Sequence, residues 1–363
     1  MLMHKGFLKK NREVSVKSDL VDLDAHPQDA NSQGGEKILH GDFVFDAERG
    51  KLDLAISAAW LYYHEGLTQI EIAQLLNTSR PTVANLLARA KAEGIVKIGV
   101  RPDYLTALTL AKHFRQRFGL QDVLIVPVPA DTDEGMINRS LGKAGALYLE
   151  ERLQPGEVLA TAWGAAMLEV ALALDQKAVE NVIIAQSLGG LSTSESFGPA
   201  KVASLMGDKF GARVHHLYVP AVVESREVRD ILLRDRSIHA ALEVARSATK
   251  AMLGIGKVAD DATVVRGGFI SAVQIDELRA RKAVGDIAGR FFDVDGQPVR
   301  TEFDERIVGL SLEEVKAISP VIAVVGGKNK VHAVLGALRG GYLDVLIVDE
   351  RTAQAVMSLA ETG

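Results

Sequence analysis

The sequence predicts a mixed α/β chain, in which a small N-terminal helical unit precedes a larger Rossmann-like α/β domain with a mainly parallel sheet. Three observations carry this expectation. Closely spaced helical patterns occupy residues 51–101, apolar β-type runs alternate with amphipathic stretches from residue 121 onward, and most of those runs are apolar throughout. Such alternation marks α/β architecture. Runs without a polar face mark strands covered by helices on both sides, as in parallel sheets.

Residues 1–50 mix Asp, Gln, Asn, Ser and Gly without a sustained period, as in Asn31-Ser-Gln-Gly-Gly35, and are expected to form a disordered arm. Ala55, Ala58, Ala59, Tyr62 and Tyr63 then keep helical spacing over residues 55–65, and Gly66 ends the helix. Thr68-Gln-Ile-Glu71 is a capping box ahead of Ile72, Ala73, Leu75 and Leu76. Asn77-Thr78 turns the chain, Ser79 is a favoured N-cap, and Pro81 falls in the first turn of a third helix over residues 80–93. Residues 94–100 alternate like a wing hairpin, with Lys97 on the polar side. A linker helix is expected over residues 102–120 and one domain over residues 121–363. That domain has β-type runs at 122–128, 158–162, 182–186, 214–219, 252–255, 321–325 and 345–348, with helix candidates at 136–152, 201–210, 275–282 and 330–339.

The 363 residues suffice for about two domains, and 47% hydrophobic with 25% charged residues is ordinary globular usage. The absence of cysteine removes disulfides, thiolate nucleophiles and cysteine-ligated zinc or iron-sulfur centres. Apolar runs such as residues 159–168 fall well short of the ~20 residues needed to cross a bilayer. Residues 1–10 lack the apolar core of a secretion signal, so no membrane partner and a cytoplasmic location are expected. The net charge of −5 argues against a nucleic-acid partner until it is divided along the chain. Residues 51–101 alone are basic, with six Lys/Arg against four Asp/Glu, and phosphate contacts depend on where cations sit rather than on their sum.

Helix, short turn and helix, with small Ala73 permitting close approach and Val83, Leu86 and Leu87 facing inward, is the pattern of a helix-turn-helix. Arg80, Thr82, Asn85 and Arg89 project from the outer face of its last helix, a set able to hold phosphates and to read base edges in a major groove. Thr68, Gln69, Ser79 and Lys97 complete the candidate DNA-contacting set. Any small helical bundle has caps and a polar face. The agreement of turn length, cap positions and one-sided basic residues favours DNA.

These residues carry a resemblance. The segment Tyr62-Tyr-His-Glu-Gly-Leu-Thr-Gln-Ile-Glu-Ile-Ala-Gln-Leu-Leu76, with Ser79-Arg-Pro-Thr-Val83 and Gly94-Ile-Val96, resembles the DNA-binding half of the SorC family of sugar-responsive transcriptional regulators. Gly285-Asp-Ile-Ala-Gly-Arg-Phe-Phe-Asp293, Val325-Gly-Gly-Lys-Asn-Lys330, Ala337-Leu-Arg-Gly-Gly-Tyr342 and Asp349-Glu350 extend the likeness over about residues 52–363. The resemblance implies an effector domain folded like sugar-phosphate isomerases and glucosamine-6-phosphate deaminases, carried in homodimers or homotetramers that bind operator DNA.

The α/β domain has glycine turns after its apolar runs, at Trp163-Gly164, Leu188-Gly-Gly-Leu191, Gly254-Ile-Gly256, Gly267-Gly268 and Gly326-Gly327. Ligands of open α/β sheets bind beyond the carboxyl ends of the strands, where glycine lets the backbone approach. The resemblance assigns Gly326, Gly327 and Lys330 to a phosphate-binding loop, Asp286 to a carboxylate near sugar hydroxyls, and Gly164, Gly189 and Gly190 to loops facing the ligand. The structural alternatives are a solvated helix residue for Lys330 and a turn or cap residue for Asp286. One departure stands out: many family members place a hydroxyl residue after Gly164, where this chain has Ala165-Ala166. Losing that donor favours a free polyol or sugar over a phosphorylated one.

Gly254-Ile-Gly-Lys-Val-Ala259 imitates a dinucleotide fingerprint, but residues 260–265 read as loop and strand where a helix is required. Asp293-Val-Asp-Gly296 lacks the remaining ligands of a calcium loop and reads as a hairpin turn. His215 and His216, adjacent in a strand pattern, point to opposite faces. No metal, cofactor or nucleophile motif is present. Three readings follow: a ligand-gated transcription factor; a sugar-phosphate isomerase or deaminase-like enzyme with Asp286, Glu224 or Glu195 as base; and an oligomerisation platform without ligand. The resemblance favours the first.

Overall fold

A computed structural model describes residues 49–97, 102–129, 131–190 and 197–362, and the chain divides into two compact units between Arg101 and Pro102. Unit 1 holds α1 (Arg49–Tyr63), α2 (Gln69–Leu75) and α3 (Arg80–Ala92). Thr68 caps α2 in a complete capping box with Glu71, and Ser79 caps α3 with proline in its first turn. Small alanines (Ala55, Ala58, Ala59, Ala73, Ala90) and Ile72, Val83 and Leu87 fill the core. Their size lets three short helices pack closely around little apolar volume.

Two expectations change here. The first helix starts at Arg49 rather than residue 55, because Leu52 continues the spacing of Ala55 and Ala59 and is partly buried with them. The rest of the expected arm lies outside the described residues. Residues 94–97 form turn and bend without a strand, and the remainder of the expected wing lies outside the described residues.

Unit 2 opens with α4 (Pro102–Phe118) and continues β1 (Asp122–Val126), α5 (Glu134–Arg152), β2 (Val158–Thr161), α6 (Ala165–Ala173), β3 (Ile183–Gln186), α7 (Pro199–Phe210) and β4 (Arg213–His215). Two helices, α8 (Arg226–Arg234) and α9 (Arg236–Arg246), lead into β5 (Lys250–Gly254). The short β6 (Gly256–Lys257), α10 (Thr263–Arg266), α11 (Ala272–Ala280), β7 (Ala283–Ile287) and β8 (Arg290–Asp293) follow. The chain ends with α12 (Leu312–Ala317), β9 (Val321–Val325), α13 (Val331–Arg339), β10 (Val345–Asp349) and α14 (Glu350–Thr362).

Seven strands form an all-parallel sheet in the order β1-β10-β9-β5-β2-β3-β4. β9 and β10 are buried at every position, the burial their unbroken apolar runs call for. Separate apolar clusters cover the two faces, one including Phe114 of α4 and the other Leu141, Met167 and Phe210. The helix expected as a linker thus packs its buried Phe114 into the core of unit 2. From β2 the chain continues to β3 on one side, whereas from β5 the large sheet continues to β9 on the other. The order therefore reverses between β2 and β5, and such a switch point opens a crevice at the carboxyl ends of the strands.

The strand expected over residues 263–265 is instead the one-turn helix α10, which buries its own Val264 and ends at Gly267. Local tertiary packing overrides the β preference of paired valines. The run at 214–219 is a strand only as far as His215, after which the chain pairs through isolated bridges: Val219 accepts from the Gly190 amide and the Ala221 amide donates back to the Gly190 carbonyl. The three-stranded antiparallel sheet β6-β7-β8 escapes the apolar-run criterion, since β6 has two residues and β7 contains Gly285 and Asp286. The Asp293–Gly296 turn is as expected: Gly296 has φ +78° and its amide donates to the Asp293 carbonyl.

Candidate functional site

On unit 1, Arg80, Thr82 and Asn85 are exposed on α3, Arg89 is half-buried, and Lys97 is exposed after the helix. The Arg89 guanidinium pairs with Glu93 one turn on. Thr68 is committed locally: its hydroxyl donates to Glu71 Oε2 at 2.8 Å and accepts from the Glu71 amide at 3.3 Å. The Thr68 amide, donating to Glu71 Oε2 at 2.8 Å, and then the Thr68 hydroxyl hold the Glu71 carboxyl below its ordinary range. Ser79 Oγ likewise accepts from the Thr82 amide at 3.3 Å and bonds Thr82 Oγ1 at 2.8 Å. Gln69 and Arg80 share a hollow with Thr68, Tyr62 and Ile70. Ile70 of this hollow is exposed.

In unit 2 the crevice at the switch point is a cleft of about 550 Å³, counting the space open to solvent. Gly164, Ala165 and Ala166 after β2, Gly254 at the end of β5, Gly256 in β6, Asp286 on β7, and Gly326 and Lys330 after β9 all line it. The glycine turns converge because β2, β5 and β9 are neighbours in the sheet. Trp163 closes one side, its ring edge-on to Phe269 at 4.5 Å.

Asp286 is 1% exposed. Its Oδ2 accepts from the Gly289 amide at 3.0 Å, within the tight β7–β8 turn at Ala288 and Gly289, while Oδ1 is buried without a partner. Burial pushes this carboxyl up to about 6, opposed by the charge of Lys330. Burial lowers Lys330, opposed by Asp286 and then Glu134. Lys330 Nζ donates to the Ile255 carbonyl at 2.9 Å, and Lys257 Nζ to Asp261 Oδ2 at 2.7 Å. Gly327, at φ +103°, sends its amide away from the cleft to Asp349 Oδ2 and Thr352 Oγ1, each at 2.9 Å.

Four predicted residues are not on the cleft wall. Leu188 is fully buried, the Gly189 amide donates to the Val308 carbonyl at 2.9 Å, and the Gly190 amide to the Val219 carbonyl at 2.7 Å. These ladder bonds hold the segment at the β3 side, where Gly190 instead borders a hollow with His216 and Tyr218. Gly327 lies beside the lining Gly326 but faces Asp349. Conversely, Glu134 and Asn138 of α5, Lys257 and Thr263 line the cleft although no motif points to them. Nothing local in the sequence ties the first turns of α5 to a loop after β9. Among the candidate bases, Glu224 does not reach the cleft and Glu195 lies outside the described residues. No group of three or more metal-ligating side chains occurs among the described residues, and none of their helices is long and apolar enough to cross a membrane.

Residues 103–358 match a family model described as "Putative sugar-binding domain". An "Uncharacterized transcriptional regulator YjhU" of Escherichia coli is 34% identical over 84% of this chain and 94% of its own length. The chain belongs to the SorC family of transcriptional regulators. The deoxyribonucleoside regulator of Bacillus subtilis is 33% identical over 86% of the chain and 99% of its own length. The crystal structure of the sorbitol operon regulator SorC from Klebsiella pneumoniae superimposes with a TM-score of 0.66 at 27% identity, covering 86% of this chain and all of that one. These relatives are regulators rather than enzymes, and the isomerase or deaminase reading gives way to the regulator.

Proposed function

We propose that this regulator binds the operator of a carbohydrate or polyol catabolic operon through α3 and adjusts that binding to a sugar, polyol or sugar phosphate held in the cleft of unit 2. The observation that carries the reading is Asp286: a buried carboxylate with one unpartnered oxygen, on the wall of a cleft at the switch point of a sugar-binding domain. The names of relatives supply the effector class, since one is a sorbitol operon regulator of Klebsiella pneumoniae and another an erythritol catabolism regulatory protein of Brucella abortus. In this reading Arg80, Thr82, Asn85 and Arg89 meet DNA, with Gln69 and Lys97 on the flanking backbone. Asp286, Lys330 and the turns at Gly164, Gly254 and Gly326 hold the effector.

The regulator acts in the cytoplasm as a homodimer or homotetramer on a palindromic operator, because two-fold protein symmetry imposes two-fold DNA symmetry. Control requires the effector to bind the DNA-competent and incompetent arrangements with different affinity, and α4 is the lever. The test is fluorescence anisotropy on DNA from upstream of the protein's own gene, at fixed salt, with free and phosphorylated sugars and polyols added in turn. Tight binding shifted by one compound class is the expected result. Absence of specific DNA binding overturns the reading.

A further inference from the structure

We propose that α8 is the centre of a two-fold interface between two copies of this chain, the two α8 helices lying antiparallel so that Glu227 of each faces Arg234 of the other. The proposal rests on the homo-oligomer of the preceding reading and places its contact on a surface outside the cleft. Val228, Ile231, Leu232 and Leu233 make α8 rich in apolar side chains, yet none of its residues is buried. Leu232 and Leu233 turn inward and pack against the core. Val228 and Ile231 turn away from it and are 40% and 66% exposed. An apolar stripe facing water is costly until something covers it.

The charges beside the stripe identify the cover. Glu227, Val228, Ile231 and Arg234 are exposed and share one helix face, since residues three and four apart are neighbours. The other charges of α8 are paired within the chain: Arg226 with Asp230 at 3.7 Å and with Glu305 at 3.4 Å, and Arg229 with Asp230 at 2.6 Å. Glu227 and Arg234 form no ion pair among the described residues. They stand at opposite ends of the stripe, acid at the start of the helix and base at its end. An antiparallel copy of the same helix, related by a two-fold axis between positions 230 and 231, sets each Glu227 against the other's Arg234 and brings the two Ile231 side chains together. A parallel copy would set like charge against like, and a partner of one charge sign would repel one end of the stripe. The patch is complementary to itself, as an isologous two-fold contact requires. The helix spans about 14 Å, the middle of the roughly 800 Å² per partner that a stable interface takes.

Sedimentation equilibrium of the full-length protein and its variants across a concentration series, without DNA, tests the seam. Ile231→Glu places two acids at the axis and is expected to weaken self-association by about 100-fold or more, as like charges brought together do. Glu227→Arg and Arg234→Glu, each alone, are expected to weaken it by about tenfold, and the two reversals together to restore it to within about threefold of the parent. All three positions are exposed, and circular dichroism with thermal unfolding checks that each variant folds. Rescue by the double reversal is a result that a purely local role of either residue does not give. Unchanged association in Ile231→Glu, or a double reversal no better than the worse single one, overturns the proposal while leaving the homo-oligomer reading. A parent protein that stays monomeric at every concentration overturns both.

Discussion

Gly256 and Asp286 are paired across β6 and β7, and a Cβ at position 256 would lie 1.6 Å from Asp286 Oδ1. The carboxylate occupies the space that any other residue would fill with its side chain. Because the obstructed group is the end of a side chain rather than backbone, Gly256→Ala is expected to fold with its carboxylate displaced. Thermal unfolding should change little while effector affinity falls by about tenfold or more, since a lost charged hydrogen bond is worth about 1.5–3 kcal/mol. Unaltered effector affinity would remove Asp286 from the binding site.

Asp286 also predicts a pH dependence. Its carboxyl titrates near 6 in the folded protein and near ~3.9 in the unfolded chain. Between these values the folded state holds more protons, so this group's contribution to stability is complete below the lower value and is lost as pH rises through the upper one. The loss is on the order of 3 kcal/mol at most. Urea unfolding of the parent and Asp286→Asn between the two pH values should therefore show the parent losing stability relative to the variant as pH rises. Effector affinity runs oppositely. A hydroxyl donated to the ionised carboxylate binds best above pH ~6 and weakens by up to about tenfold per unit below it, despite the opposing charge of Lys330.

The bracket behind the glycine loop should be structural in its energetics. Asp349 accepts from Gly327 and from the Thr352 hydroxyl through Oδ2, and from the Thr352 amide at 3.0 Å through Oδ1. Asp349→Ala removes the acceptor of all three bonds from a site that is 1% exposed and should cost about 1–3 kcal/mol. Asp349→Asn, which keeps one carbonyl acceptor, should cost less. The two urea midpoints measure the difference, and equal values would mean that the carboxylate adds nothing beyond its shape.

Arg80→Ala with Arg89→Ala should cut operator affinity by about 100-fold at moderate salt and lower the slope of log K against log salt by about two, at near 0.9 for each phosphate no longer neutralised. Arg89 is paired with Glu93 in the free protein and Arg80 is exposed, so Arg80→Ala alone should cost more than Arg89→Ala alone. Anisotropy titrations across a salt series, with effector affinity as the folding control, separate these outcomes. Retained tight binding by the double variant would displace α3 as the recognition helix.

Much of unit 1 was readable because its determinants are local. The capping box at Thr68 and Glu71 and the cap of Ser79 on Thr82 each span four residues, and helix starts depend on such short-range bonds. The parallel sheet was readable for a related reason, since an unbroken apolar run such as residues 321–325 reports burial on both faces without its partners being known. The structure departs from these readings where a distant partner decides the outcome. Val264 and Val265 read as strand but are folded into a helical turn that buries Val264, and the Leu188-Gly-Gly turn resembled a ligand loop but is pinned by Val219 and Val308.

From the chain alone came the division into a helical reader and an α/β effector domain, the candidate reading face of α3, and glycine turns placed after strands, because period, caps and composition are properties of neighbouring residues. Tertiary structure alone decided which turns meet. It set β2, β5 and β9 side by side, brought Glu134 and Asn138 from α5 to the same cleft, and left Asp286 Oδ1 buried without a donor. Convergence, burial and an unfilled hydrogen bond depend on residues far apart in the chain, and they exist only once the sheet has assembled.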